Sequence, residues 1–359
     1  MKFFGFSRKI IVSGLLSAAV LSAACGGIIK DDQKTARLLK TEEASRADLL
    51  KEVDRFARVG SMQAKFYLKF EDNSFAEFGN KEVYRSADGE IVVQRPASIR
   101  MKVQVPVIKS DVAQMTSDGS TFRVAILQDG GSGKYKKFVK GTNSADYTKL
   151  QKDLNKKDLD NGQAIKESVN AFSNLRPQHF TEAILVRPIE AAKTYTVSSI
   201  FQAEEDASTP KKSPLRTVMR GYYLLDELVK RDDGTLQIER RFWFDRVGGI
   251  RLARLQLFDK AGEIESDITY GMEGNLTSTG NYNNLPLEIL VTRPKEKYSM
   301  RLKYQTPEDV KIGNVFPETA FVLQNSWNLE EVDLDAKLRE TSAAQPLTTT
   351  PPVGNKFQP

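Results

Sequence analysis

The single histidine, His179, and the single cysteine, Cys25, limit what this chain can catalyse. One imidazole forms neither a triad nor a metal site by itself, and its place near a helix start gives it a structural role. Gly133-Lys134 ends a glycine-rich loop, yet a phosphate loop needs glycine at 128 and serine or threonine at 135, where Gln128 and Tyr135 stand. The acidic pairs Glu204-Glu205 and Asp232-Asp233 fall in expected loops beside basic residues, which suits solvated turns better than a general acid and base. No serine has a glycine-elbow context. The inventory therefore points away from an enzyme and calls for no cofactor and no metal. Arg95-Pro96, Arg187-Pro188 and Arg293-Pro294 each follow an apolar β run. One reading is that proline ends the strand and arginine covers the rim. The other is that the guanidinium fork meets phosphate or glycerol head groups, with Arg95 and Arg100 as the candidates.

Cys25 matters by position. Lys2, Arg8 and Lys9 open the chain, an apolar run follows from Ile10 to Ala24, and Ser22, Ala23 and Ala24 directly precede the cysteine. This is the order of an export signal, and the run is too short and too rich in alanine and serine for a permanent span. Those three leader charges make up half of the formal +6. The remaining excess gives no case for nucleic acid, though it suits an anionic lipid surface. With one cysteine there is no intramolecular disulfide.

Leu21-Ser22-Ala23-Ala24-Cys25-Gly26 resembles the lipobox of bacterial lipoproteins, in which cleavage exposes the cysteine and its thiol receives a diacylglyceryl group. The resemblance implies a signal peptide over 1–24, a lipidated Cys25 with a tether over 25–40, and attachment to a membrane of the cell envelope. Gly26, where inner-membrane retention in enteric bacteria uses aspartate, leans towards the periplasmic face of the outer membrane.

The elements that follow are mostly strands. Thr41 can cap a helix opening with Glu42 and Glu43, with Leu49, Leu50, Val53, Phe56 and Ala57 on one side and Gly60 as the stop. Met62, Ala64, Phe66, Leu68 and Phe70 alternate with Gln63, Lys65 and Lys69, and Ile99, Met101, Val103 and Val105 alternate with Arg100, Lys102 and Gln104. Period two gives strands with one dry and one wet face. Phe75 to Tyr84, Thr121 to Leu127 and Lys134 to Lys140 continue this first set. Residues 143–185 change character and suggest a helical insertion over the mouth or concave side of the sheet. Strands resume from Lys193 to Gln202, and Arg220 to Val229, Leu236 to Asp245, Ile250 to Phe258 and Glu263 to Tyr270 follow at near-constant spacing, separated by turns. Pro286 to Val291 and Tyr298 to Tyr304 extend the meander. Val315 to Leu323 is expected to close a sheet edge, and 337–359 to be a tail without core material.

Ala87-Asp88-Gly89-Glu90-Ile91-Val92-Val93-Gln94-Arg95-Pro96-Ala97-Ser98-Ile99-Arg100, then Ser117-Asp118-Gly119-Ser120-Thr121-Phe122, resembles the strand, Arg-Pro and later Asp-Gly pattern of the periplasmic lipoprotein carrier LolA and, more loosely, of its outer-membrane receptor LolB. Arg241-Phe242-Trp243-Phe244-Asp245, with Leu255 to Gly262, looks like the second half of the same sheet. The resemblance implies a mainly β (α+β) fold over 41–336: a large curved antiparallel sheet forming an unclosed half-barrel, with helices covering its concave face. It also implies no enzymatic activity and an apolar cavity for the acyl chains of lipids or lipoproteins, with a periplasmic carrier protein as a partner. Phe66, Phe70, Met101, Phe122, Phe242 and Phe244 are the candidate lining. A bland alternative is a structural envelope lipoprotein whose sheet interior is a packed core without ligand.

Overall fold

A strand that buries every second side chain must find something dry to lie against, and Ser61–Asp72 does so over most of its length: Met62, Ala64, Phe66, Leu68 and Phe70 are buried while Lys65 and Tyr67 are exposed. The computed structural model describes residues 36–72, 82–83, 87–105, 110–128, 136–145, 147, 150 and 177–343. Cys25, most of the runs 75–84 and 143–176, and the residues after 343 lie outside that description. In chain order the strands are β1 (Arg37–Leu38), β2 (Ser61–Asp72), β3 (Glu82–Val83), β4 (Ala87–Gln94), β5 (Ser98–Gln104), β6 (Asp111–Ser117), β7 (Thr121–Ile126), β8 (Lys137–Thr142), β9 (Thr194–Glu205) and β10 (Thr217–Lys230). They continue as β11 (Leu236–Asp245), β12 (Arg251–Phe258), β13 (Ile264–Leu276), β14 (Tyr282–Arg293), β15 (Tyr298–Tyr304), β16 (Lys311–Ile312) and β17 (Glu330–Asp333). The α-helices are α1 (Arg46–Ala57), α2 (Gln178–Ile184) and α3 (Leu334–Ala343).

The chain divides into two compact units. The smaller contains, among the described residues, 36–39 and 202–219. There β1 pairs in parallel with the start of β10, Arg37 opposite Val218, and Arg37 lies 3.5 Å from Asp206. Arg216 ties the turn by donating to Thr209 O at 2.7 Å and pairing with Glu205 at 3.0 Å.

The larger unit, 40–201 and 220–359, carries the sheet. Its order is β9, β10, β11, β12, β13, β14, β15, β2, β4, β5, β6, β7, β8 and β17, with the two-residue β3 and β16 also on β2. Each step from β10 to β15, onto β2, and on to β8 is antiparallel. No described pairing joins β9 to β17, so the sheet is open. At one end β17 adds to β8 in parallel, setting Glu330 opposite Lys137 and Asp333 opposite Lys140. An acidic strand thus covers a basic edge. The edge is closed by Glu330–Asp333, and not by the run 315–323.

Curvature follows from what one short helix touches. α2 contacts β14 on one side and β4 and β5 on the other, and β14 and β5 are four steps apart, about 19 Å along a flat sheet at about 4.8 Å per step. A helix about 10 Å across reaches both only if the sheet bends around it. α1 packs beside β12 on the same core. Helices therefore cover the concave side of an unclosed antiparallel sheet.

The start of α1 differs from the Thr41 expectation. Ser45 is the N-cap and forms a reciprocal box with Asp48, Asp48 N donating to Ser45 Oγ at 3.3 Å and Ser45 N to Asp48 Oδ2 at 3.0 Å. Glu42 and Glu43 instead meet Arg246, whose Nε donates to Glu42 O at 3.0 Å and whose Nη2 donates to Glu43 Oε1 at 2.5 Å.

The convex side has its own cover. Val92 and Thr116 point away from the helices yet are buried, because residues 314–323 run across them. Ser61 Oγ donates to Asn314 O at 2.6 Å, Phe316 N to Gln94 Oε1 at 2.7 Å and Leu323 N to Thr116 Oγ1 at 3.0 Å, while Phe321 is buried. α3 then packs on β8 through the buried Leu334 and runs to Ala343.

Candidate functional site

The six apolar candidates come from four strands and arrive on one face. Phe66 lies on β2, and its ring crosses β4 at Gly89, where an added Cβ would sit 2.5 Å from the ring and 2.5 Å from Lys102 O. Glycine is required there by close approach. Phe70, further along β2, stacks on Tyr298 with ring centroids 5.6 Å apart. Met101 on β5 lies between Ile91 and Met115 in the ladder. Phe122 on β7 meets Tyr147 edge to face at 6.4 Å, and Phe242 and Phe244 on β11 are 6.5 Å apart. All six are buried in a single continuous cluster.

That cluster also contains Leu49, Val53 and Phe56 of α1 and Phe180, Ala183 and Ile184 of α2. Among the described residues, the space the six side chains face is taken up by the helices' own apolar stripes. Two described cavities lie elsewhere. One, of about 800 Å³, is framed by the β10–β11 and β12–β13 turns, with Asp232, Asp233, Glu239 and Glu265 beside Arg231 and Lys260. The other, of about 280 Å³, lies on the convex side near Lys65 and Glu90. None of the six residues lines either one.

Arg95 and Arg100 do not come together. Arg100 sits on the convex face, opposite Val92 and Thr116 in the ladder. Arg95 reaches the helix side, where its guanidinium meets four backbone carbonyls. Nε donates to Val59 O at 3.1 Å, Nη2 to Ala57 O at 3.0 Å and Val186 O at 2.7 Å, and Nη1 to Leu185 O at 3.5 Å. Two of these acceptors close the C-terminal end of α1 and two follow α2, where helices leave carbonyls without intrahelical partners and where a cation is favoured. Burial lowers the pKa of Arg95. One side chain fastens both covering helices to the end of β4.

The other arginines of the Arg-Pro pairs also make ion pairs, Arg187 at the surface and Arg293 inside. Arg187 pairs with Glu239 at 3.1 Å. Arg293 is buried and lies 2.8 Å from Glu296 and 3.3 Å from Glu265. Of the acidic pairs, Asp233 accepts from Thr235 N at 2.9 Å within its turn, and Glu205 pairs with Arg216. Neither pair is set up as acid and base. Among the described residues no group of three histidine, cysteine or acidic side chains is placed to hold a metal ion, and no helix is long and apolar enough to cross a membrane.

Other polar links seat α2 in the core, and the residue pattern alone did not reveal them. His179 Nδ1 lies 2.6 Å from Tyr298 Oη, and Tyr270 Oη donates to Ala183 O at 3.0 Å. Burial raises the pKa of Tyr270. Just beyond α2, Arg240 donates to Arg187 O at 2.9 Å and Pro188 O at 3.1 Å while pairing with Glu227. Burial pushes the Glu227 carboxyl up, but the Arg240 hydrogen bonds and charge, Tyr195 Oη and Lys193 outweigh it and hold its pKa low. A signal for this pair existed: Glu227 and Arg240 occupy dry positions in the alternations Tyr223-Leu225-Glu227 and Arg240-Phe242-Phe244. Glu182, on α2, has its pKa raised to about 6 by burial and by Glu265, against the opposing pull of Arg293 and Arg187.

No family model matches the chain, and no curated protein matches it. Solved structures do. A LolA superfamily protein from Nitrosomonas europaea is 10% identical with a TM-score of 0.40, covering 78% of this chain and 99% of that one. An outer membrane lipoprotein-sorting protein domain from Vibrio parahaemolyticus, described as putative, is 11% identical with a TM-score of 0.36, covering 77% and 97%. A DUF1329 family protein from Desulfovibrio piger is 11% identical with a TM-score of 0.35, covering 77% and 95%. The chain is thus similar, over more than three quarters of its length, to solved structures that include a member of the LolA superfamily.

Proposed function

We propose that this chain is a lipid-anchored protein of the bacterial envelope that binds the acyl chains of lipids or lipoproteins on the concave face of its sheet, with α1 and α2 as a removable cover. The observation that carries this reading is Arg95. A continuous apolar face is covered by two short helices, and a single guanidinium holds the ends of both through backbone carbonyls. Helices of 12 and 7 residues are too short to hold their shape away from a partner surface. Local opening would expose Phe66, Phe70, Met101, Phe122, Phe242 and Phe244 together. An acyl chain laid there regains about 0.8 kcal/mol per buried methylene, which offsets the apolar packing that the departing helices give up. No covalent step is involved.

Cys25, lipidated, would keep the chain on its membrane, and the periplasmic face of the outer membrane suits a protein that accepts or inserts acylated cargo delivered by a periplasmic carrier. Mass analysis of the N-terminal peptide from membrane-derived protein tests the anchor: a diacylglyceryl-modified Cys25 is expected, and an unmodified cysteine removes it. For the binding site, the test is uptake of a fluorescent fatty acid by the full chain and by Arg95→Met. Uptake that increases in the variant, and that a polar substitution at Phe66 or Phe122 abolishes, is the expected result.

The bland second reading has an observation of its own, since the described concave side chains pack against the helices and line neither large cavity. A structural envelope lipoprotein would take up no acylated probe in either form.

A further inference from the structure

We infer that Ser266 and Arg293 form a head-group subsite beneath α2, one that takes the neutral ester carbonyl of a glyceryl lipid in preference to a phosphate-bearing head. The inference rests on the acyl-binding reading above and adds the chemistry of the ligand's polar end. Strand register puts the pair at a boundary. Glu227, Arg240, Leu257, Ser266, Arg293 and Tyr298 are successive neighbours across β10 to β15, and all six are buried. Asp267 lies opposite Thr292, so the next residues of that antiparallel ladder, Ser266 and Arg293, face each other. Two positions along each strand, about 7 Å away, the adjoining row is Phe242, Leu255, Ile268, Val291, Met300 and Phe70, which has no polar side chain. A polar belt therefore borders the apolar face, and a ligand with one oily and one polar end is matched in orientation.

The belt's members differ in how their polar atoms are used. Glu227 and Arg240 satisfy each other, and Tyr298 Oη lies 2.6 Å from His179 Nδ1. Arg293 uses only Nη2, which donates to Glu296 Oε1 at 2.8 Å and Glu265 Oε1 at 3.3 Å. Its Nε and Nη1, and the hydroxyl of Ser266 beside it, are enclosed and have no hydrogen-bond partner among the described residues. Enclosed donors without acceptors penalise the state that holds them. α2 covers this part of the sheet, in contact with β14 and with His179 on Tyr298. A ligand that brings an acceptor when α2 lifts relieves the penalty in the open state alone, which is the differential contact a population shift requires.

Charge selects the acceptor. The one guanidinium already faces two carboxylates, Glu265 and Glu296, so the patch carries an excess negative charge before any ligand arrives. A phosphate adds to that excess in a place shielded from water, where like charges repel most. An ester carbonyl has two lone pairs and no charge, so it can accept from the guanidinium and from the Ser266 hydroxyl together. Acylglycerols and diacylglyceryl-modified cysteines share this linkage.

The experiment is displacement of a fluorescent fatty acid from the full chain by three lipids with identical acyl chains, each kept below its micelle concentration. They are dioctanoylglycerol, the same lipid carrying a phosphate, and the same lipid joined through sulfur to an N-acetylcysteine amide. The two neutral forms are expected to displace the probe at about tenfold lower concentration than the phosphate form, the size of one charge-assisted hydrogen bond. Ser266→Ala and Arg293→Lys should each weaken both neutral forms by about threefold or more and leave the phosphate form little changed. Without ligand, Ser266→Ala should melt no lower than wild type, because the hydroxyl it removes has no partner to lose. Equal displacement by the two neutral forms marks the glyceryl ester itself as the group recognised, and a gap in favour of the cysteine form marks a lipoprotein. Displacement that the phosphate leaves unchanged, or neutral binding that both variants leave intact, overturns the subsite while acyl binding stands. A chain that takes up no fluorescent fatty acid overturns both. Should Arg293→Lys fail to fold, Ser266→Ala, which changes no charge, decides alone.

Discussion

Glu227 and Arg240 face each other across the β10–β11 ladder and are both shut away from solvent, with two guanidinium nitrogens on the two carboxylate oxygens. Tyr195 Oη donates to the same carboxylate at 2.7 Å and Lys193 Nζ at 3.2 Å, so the segment after α2 is stitched to the sheet through one acid. An enclosed pair of this kind adds little net stability compared with apolar residues of the same volume, but breaking it strands a charge. Its role is to fix where residues 187–195 lie.

Removing the acid alone therefore does most damage. Glu227→Gln leaves Arg240 enclosed and uncompensated, and a loss of about 3–5 kcal/mol is expected in denaturant unfolding. The double variant Glu227→Leu with Arg240→Met should recover much of that loss. If Glu227→Gln unfolds within about 0.5 kcal/mol of wild type, the residual charge is solvated and the enclosure is not what the geometry implies.

The latch makes a different prediction, because Arg95 acts on two helix ends and not on the sheet. Arg95→Met removes charged hydrogen bonds to four carbonyls, each worth about 1.5–3 kcal/mol when intact. Opening of α1 and α2 should become at least about tenfold easier, since about 1.4 kcal/mol is a factor of ten. Hydrogen exchange at the last turns of both helices reads this directly, with the amides of β12 to β14 as the control. Arg95→Lys, which keeps the charge on a single nitrogen, should fall between the two. Exchange that rises equally in the control strands would mean that Arg95 supports global stability and latches nothing.

How much of this could be read from the chain depends on where the partners come from. The strands β2 and β5 were legible because packing on one face and water on the other forces period two, and that pattern is local. The charge-on-charge cover of β8 by β17 had a trace, Lys137 and Lys140 against Glu330, Glu331 and Asp333, but the partners are separated by nearly two hundred positions. Glu227 and Arg240 leave a trace as charges on dry positions of their strands, but the trace does not say that they meet. Arg95 was legible as a candidate beside its proline, but its acceptors were not, because they are backbone carbonyls and carbonyls carry no residue signature. Thr41 lost the cap to Ser45 because reciprocal bonding with Asp48 outweighs an earlier hydroxyl, and because Arg246 takes Glu42 and Glu43.

Gly89 tests whether the concave face is as tightly built as its distances imply. A methyl group there meets Lys102 O and the Phe66 ring, each 2.5 Å from the new carbon. The ring can shift but the carbonyl belongs to the neighbouring strand. Gly89→Ala is expected to cost about 1–3 kcal/mol by overpacking. Adding Phe66→Leu should relieve only part of it, because the backbone contact remains. Full recovery in the double variant would show that β4 and β5 move apart easily.

Glu182 supplies the pH dependence. Its carboxyl, on the helix between Tyr298 and Tyr270, titrates near 6 in the folded chain instead of at its ordinary 4.5, through burial first and the Glu265 charge second, with Arg293 and Arg187 pulling the other way. A raised acid pKa means that the folded state holds the proton more tightly than the unfolded state. Stability therefore falls as pH rises from about 4.5 to about 6, and the full penalty is present above that range. Glu182→Gln carries no such charge. Its stability relative to wild type should grow across that window to a plateau of up to about 2 kcal/mol at neutral pH, because each pH unit separating the folded and unfolded titrations is worth about 1.36 kcal/mol. Because the comparison is with wild type at each pH, the other acids cancel. Unfolding midpoints from pH 4 to 8 would show the curve, and a difference that is flat across the range, or that grows towards acid, would place the Glu182 carboxylate in water and not against Glu265.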